Sequence, residues 1–278
     1  MDTKVTLTAH RGYRAKFPEN TMLAFEEALK LDIDSIEMDV RMTKDNEIVV
    51  IHDATIDRTT DKKGLVREMT LEQVREADAG VKFGYAGVKI PKLEEFLALM
   101  STRPDIRVLL ELKDYPEEVG AFAYASCEKT IQLCKKYGIW GKERLSIITF
   151  STGICAWIKH KHAGEDVAIH GFYPKQHMRG WDKDDPYKYY DEVCLFCDVF
   201  TMDGGRYKPS HPVVEKEKFT QFALMDIKPC VYYSWDVNEE HYKEALSYGA
   251  LGFTCDDPHE CGKILDRLGA REYKTKNV

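Results

Sequence analysis

Short apolar, often β-branched runs alternate along this chain with longer stretches of helical spacing. "KVTLTA" (4–9) precedes "TMLAFEEALKL" (21–31), in which Leu23, Ala24, Phe25 and Leu29 fit a helix buried on one side. "DSIEMDVRMT" (34–43) and "EIVVIHD" (47–53) follow, separated by the turn-like Lys44-Asp45-Asn46. "RVLLEL" (107–112), "RLSIITF" (144–150), "DVAIHGF" (166–172), "DVFTMDG" (198–204), "CVYYSW" (230–235) and "LGFTCD" (251–256) continue the series, most with a helical segment behind them. Taking 34–53 as one strand plus an extension gives eight strand candidates.

Strands that alternate with helices pair in parallel through crossover connections. Eight such units predict an α/β chain closed as a (β/α)8 TIM barrel; pattern alone leaves an open doubly wound sheet as the other arrangement. No linker or low-complexity tract divides the sequence, so 1–278 reads as one domain. Residues 54–92 are long for a barrel connection and read as a small insertion after the second strand, at the barrel mouth.

Composition narrows the partners. With 44% hydrophobic and 31% charged residues the chain can bury a large core. A formal charge of −7 offers no basic excess for nucleic acid, and no apolar run reaches membrane length. Cys194 and Cys197 form a lone C-x-x-C with neither a second pair nor a nearby His, so the eight cysteines read as free thiols of a reducing cytoplasm.

The chemistry gathers at strand ends. Glu37 and Asp39, two apart on a strand, share a face, while Ile36, Met38 and Val40 point the other way. Crowded carboxylates inside a barrel need a cation between them, and Glu111 supplies a third at the end of "LLEL". Three oxygen donors without sulfur or imidazole point to one hard divalent cation, Ca²⁺ or Mg²⁺; salt bridges, with Arg41 as a partner, are the alternative. His10 and His52 end the first and second strand units and give one acid and one base near neutral pH. Arg11 can grip two phosphate oxygens, and Lys113 adds a point charge. Trp235, followed by polar Asp236 and Asn238, is expected half exposed as a substrate wall. Pro18-Glu19-Asn20-Thr21 should shape the first loop, with Asn20 or Thr21 capping the helix behind it. "RTTDKKG" (58–64) reads as the ordered start of the insertion. Together these groups point to displacement at a phosphodiester.

The run "AHRG…PENTMLAFEEALKLDIDSIEMDVRMTKDNEIVVIHDATIDRTT" closely resembles the glycerophosphodiester phosphodiesterase family, as do "LLELK", "SWDVN" and "GALGFTCDDP" farther on. The resemblance implies a TIM barrel that hydrolyses glycerophosphodiesters to glycerol 3-phosphate and an alcohol. By position it puts the acid/base pair on His10 and His52, metal ligands on Glu37, Asp39 and Glu111, and phosphate contacts on Arg11 and Lys113. Trp235 takes the place of an aromatic at the mouth. Asp236, Leu251 and Leu109 depart from the usual Thr, Asp and Asn, which touches substrate preference more than activity. A lipid-cleaving phosphodiesterase of the phospholipase C or D kind and a non-catalytic phosphodiester binder are the rival readings. The first wants an exposed apolar or cationic lip; the second wants a missing catalytic group, and none is missing.

Overall fold

The computed structural model describes residues 5–195, 198, 199, 208, 209 and 215–272. Eight parallel strands close into a barrel: β1 (Thr6–His10), β2 (Ser35–Met42), β4 (Arg107–Leu112), β5 (Leu145–Ile148), β6 (Ala168–Tyr173), β7 (Glu192–Leu195), β10 (Lys228–Tyr232) and β11 (Gly252–Cys255). Closure is direct, since β1 pairs with β11 on one side and with β2 on the other. A short β3 (Ile48–Val50) lies antiparallel on the end of β2, the extension expected from "EIVVIHD". Helices α1 (Met22–Ala28), α2 (Leu71–Arg75), α3 (Leu93–Ser101), α4 (Pro116–Val119), α5 (Ala121–Lys136), α6 (Thr152–Lys161), α7 (Lys216–Leu224), α8 (Glu239–Tyr248) and α9 (Pro258–Arg267) fill the connections.

The two-residue alternation sets the layers. Ile36, Met38 and Val40 are fully buried outward against the helices, and Glu37 and Asp39 take the barrel interior. The stretch 54–92 carries a small core of its own, with Ile56, Val66, Val74, Ala77 and Ile90 packed on Val49 and Ile51. A Thr70–Gln73 capping box starts α2 within it.

One expected strand is misplaced. The sixth barrel strand is "EVCL" at 192–195, not "DVFTMDG" at 198–204. Of the latter, Asp198–Val199 (β8) pairs antiparallel with Lys208–Pro209 (β9) outside the barrel, and 200–204 lie outside the described residues. The true strand opens on a glutamate, which an apolar-run criterion passes over.

Tyr190, just before β7, lies across Gly171 of β6, where an added Cβ would stand 1.9 Å from the Tyr190 ring. Gly171→Ala is therefore expected to cost about 1–3 kcal/mol by overpacking, lowering Tm by at least ~2 °C in a thermal melt. An unchanged melting point would contradict this packing.

Candidate active site

The loop after β1 is folded tightly on itself. Arg11 (φ 54°), Gly12 (φ 80°) and Asn20 (φ 57°) all take left-handed backbone. Gly12 is obligatory, because a Cβ there would stand 2.7 Å from the carbonyl carbon of Ala24. This turn brings Pro18–Thr21 back under the barrel mouth. Thr21 caps α1 by accepting from the Ala24 N–H at 3.2 Å. Asn20 instead turns inward and donates to Asp39 Oδ2 at 2.8 Å. Glu19 is buried and meets Arg11 Nη1 at 2.8 Å, Arg14 Nη2 at 3.1 Å and Arg58 Nη2 at 2.7 Å.

Glu37, Asp39 and Glu111 converge as expected. One carboxylate oxygen from each lies within 4.8 Å of the others, and all three side chains are buried. Arg11 Nε sits 3.0 Å from Asp39 Oδ2, and Lys113 Nζ reaches Glu111 at 2.6 Å and Asp39 Oδ1 at 3.3 Å. Arg41 is not their partner. Its Nε donates to the His52 carbonyl at 2.9 Å and its Nη1 to the Lys113 carbonyl at 2.9 Å, tying two strand ends together.

Burial, then the charges of Asp39 and Glu111, push the Glu37 carboxyl well above its usual range, against the pull of Arg11. Burial also acts on Asp39, yet Arg11 and Lys113 overcome it and hold that group well below. Burial raises Glu111 against Lys113. The cluster is thus short of positive charge. Glu37 Oε1 is buried without a hydrogen-bond donor, and Asp39 Oδ1 has only the Lys113 ammonium at 3.3 Å beside it, which leaves room for a cation. The donor set fits a hard divalent cation.

His10 and His52 line the same cavity of about 1050 Å³, together with Arg11, Glu37, Glu111, Lys113 and Trp235. His10 Nδ1 is 2.6 Å from Asp256 Oδ1, and Asp256 accepts from Ser234 Oγ at 3.1 Å. His52 Nδ1 is 2.6 Å from Asp53 Oδ1, and Arg58 Nε holds Asp53 at 2.6 Å. Burial and the neighbouring Arg11 lower His10 to about 4 despite Asp256. Burial, Lys113 and Arg11 lower His52 to about 3. These influences favour the neutral rings, and the bonds to Asp256 and Asp53 fix Nδ1–H on each, so that Nε2 is the atom that gains or loses a proton. Trp235 is half exposed at the rim, and the Arg14 guanidinium lies over its ring at 5.2 Å.

Sequence reasoning missed Asp256 and Asp53 as partners of the histidines, and Arg58 as more than the start of the insertion. Arg58 lines the cavity and joins Glu19 to Asp53. The "DDP" of the closing motif was the available signal for Asp256. None of the seven described cysteines is in a disulfide; Cys197 of the C-x-x-C lies outside the described residues. Among the described residues, no helix is long and apolar enough to cross a membrane.

The Glycerophosphoryl diester phosphodiesterase family matches residues 10–260. The chain belongs to this family. A glycerophosphodiester phosphodiesterase of Caldanaerobacter subterraneus is 42% identical over 151 residues, covering 53% of this chain and 59% of that one. A putative glycerophosphodiester phosphodiesterase of Bacillus subtilis, YhdW, is 46% identical over 116 residues, or 41% of this chain and 47% of its own. The chain thus spans about half the length of the curated relatives it matches. Among solved structures, a putative glycerophosphoryl diester phosphodiesterase from Silicibacter pomeroyi superposes with TM-score 0.78 at 20% identity, covering 96% of this chain and 95% of that one. An Oleispira antarctica phosphodiesterase, solved with the product sn-glycerol-3-phosphate, gives 0.72 at 19% identity over 95% and 97%. These two likenesses establish the barrel fold.

A cation held by the three carboxylates should stabilise the native state by mass action. Millimolar Ca²⁺ or Mg²⁺ is expected to raise the Tm of the metal-stripped protein, and Glu37→Gln to abolish most of the rise. An equal rise in the variant would place the cation elsewhere.

Proposed function

We propose that this chain hydrolyses glycerophosphodiesters to sn-glycerol 3-phosphate and an alcohol. The observation that carries the reading is that one cavity gathers two aspartate-oriented histidines, two buried cations and three buried carboxylates short of positive charge. The product bound in the Oleispira antarctica neighbour is in keeping with it.

Glu37, Asp39 and Glu111 would hold one divalent cation, Ca²⁺ or Mg²⁺, which supplies charge neutralisation to the phosphate oxygens. Arg11 and Lys113 flank the same carboxylates and bind the remaining phosphate charge. The nucleophile is the glycerol 2-hydroxyl or a water. One histidine takes its proton on Nε2 as the new O–P bond forms. The other enters as the imidazolium, favoured by its aspartate and by the negative charge of the bound phosphodiester, and gives its Nε2 proton to the departing alkoxide as the old O–P bond breaks. If the 2-hydroxyl attacks, the cyclic phosphate is opened by water with the two roles exchanged. Asp256 and Asp53 keep each ring in the tautomer that presents Nε2, and stabilise the imidazolium once formed. Trp235 lines the same cavity as a substrate wall. The seven described cysteines, none in a disulfide, suit a reducing cytoplasm.

His10→Ala and His52→Ala are each expected to lower kcat by about 10²–10⁴-fold, the usual range for removing a positioned acid or base, with circular dichroism unchanged. Near-native rates in either would remove that residue from the reaction. Asp256→Asn offers His10 an amide in place of a charge. It should lower kcat while changing KM by less than about threefold, because it misorients a ring rather than removing a substrate contact.

A further inference from the structure

The cavity has two dissimilar halves. Phosphate chemistry occupies the side built by β1, β2 and β4. The opposite wall, from β5 to β7, is lined by Ile148, Phe150, His170, Phe172 and Cys194. Phe150 and Phe172 stack with ring centroids 3.7 Å apart. His170 is the one imidazole on this wall, and the phosphate chemistry gives it no role.

Its orientation is fixed from below. The row of paired residues Asp39, Glu111, Ile148, His170 and Glu192 runs round the barrel from the carboxylate cluster. Because the strands of a barrel are staggered, such a row changes depth as it goes round. His170 still borders the cavity, whereas Glu192 does not. Glu192 takes the His170 Nδ1 at 3.2 Å, the Ser146 hydroxyl at 2.8 Å and an Arg107 guanidinium N–H at 2.5 Å. Burial works against its charge, but His170 and Arg107 hold the carboxyl well below its usual range. An ionised carboxylate only accepts, so His170 donates from Nδ1 and keeps Nε2 for another partner. Among the described residues, Glu192 is the only hydrogen-bond partner of His170.

The rim argues about charge. A quaternary ammonium is recognised by open aromatic faces and nearby carboxylates. Here the Arg14 guanidinium already lies over Trp235, and Arg14 and Arg58 both line the cavity. Asp236, the carboxylate beside Trp235, is turned to its own loop. Its Oδ1 accepts from the Asn238 N–H at 2.8 Å and its Oδ2 meets His241.

We propose that His170 is a specificity-determining residue, with Nε2 bonding a hydroxyl of the leaving alcohol. The preferred substrates are then glycerophosphodiesters of polyhydroxy alcohols rather than of choline. The proposal rests on the phosphodiesterase reading above. Phe150 already carries the Lys113 ammonium 5.7 Å from its ring centroid, as Trp235 carries Arg14, and with the stacked Phe172 it gives the C–H groups of a polyol an apolar surface while His170 takes its hydroxyl.

The test compares initial rates on glycerophosphoinositol, glycerophosphoglycerol and glycerophosphocholine in the wild type, His170→Phe and His170→Gln. The wild type should favour the two polyol diesters over the choline diester by about tenfold or more in kcat/KM, the scale of one satisfied hydrogen bond. His170→Phe should erase most of that ratio, mainly through KM, and leave the choline diester within about threefold. His170→Gln keeps a polar group and should restore part of the ratio, which also carries the test if the Phe variant folds poorly. A wild type that favours choline, or variants that slow all three diesters equally, would overturn the proposal. No release from any of the three would instead remove the phosphodiesterase reading beneath it.

Discussion

Three carboxylates buried within 4.8 Å of one another cannot all carry charge unless positive charge is brought to them. Much of the barrel mouth follows from that requirement. Arg11 and Lys113 supply part of the compensation from the loop after β1 and the end of β4. The remaining deficit shows in the raised Glu37 and in its Oε1, buried without a donor. A site neutralised by its own side chains would leave no such deficit.

Holding the cluster costs the backbone. Left-handed Arg11 and Asn20 each carry strain on the order of 1 kcal/mol, offset by bonds the strained turn alone makes possible. The Arg11 N–H donates to Glu37 Oε2 at 3.0 Å, and Asn20 donates to Asp39. Arg41 then fixes the carbonyls of His52 and Lys113, so the proposed acid/base residue and the proposed phosphate ligand share one anchor. Glu19 links Arg11, Arg14 and Arg58, joining the first loop to the insertion. Arg11, Arg14 and Arg58 are thereby held in position by one buried carboxylate.

What was legible in the sequence is what local pattern encodes. The alternation in "SIEMDVR" placed Glu37 and Asp39 inward and their neighbours outward, as the barrel has them. The eight-strand count survived, although one strand was taken from the wrong segment. That error is physical: β7 begins with Glu192, whose burial is made tolerable by Arg107 and His170 from other strands. No window around residue 192 contains that information. Asp256 was hidden for the same reason, since it orients a histidine 246 positions away. The alternative that paired Arg41 with the carboxylates fails because strand alternation gives a face but not how far a long side chain reaches along it. Most contacts within a turn or a strand could be read off the chain, Asp53 on His52 excepted; of those made between strands, only the carboxylate cluster announced itself, through its chemistry.

The most direct test of this account is glycerol 3-phosphate release from glycerophosphodiesters by metal-stripped protein, before and after Ca²⁺ or Mg²⁺ is restored. The account predicts negligible release without the cation and recovery with it, in step with saturation of the Glu37–Asp39–Glu111 cluster. Full turnover in the presence of a chelator, or no release with either cation, would contradict it.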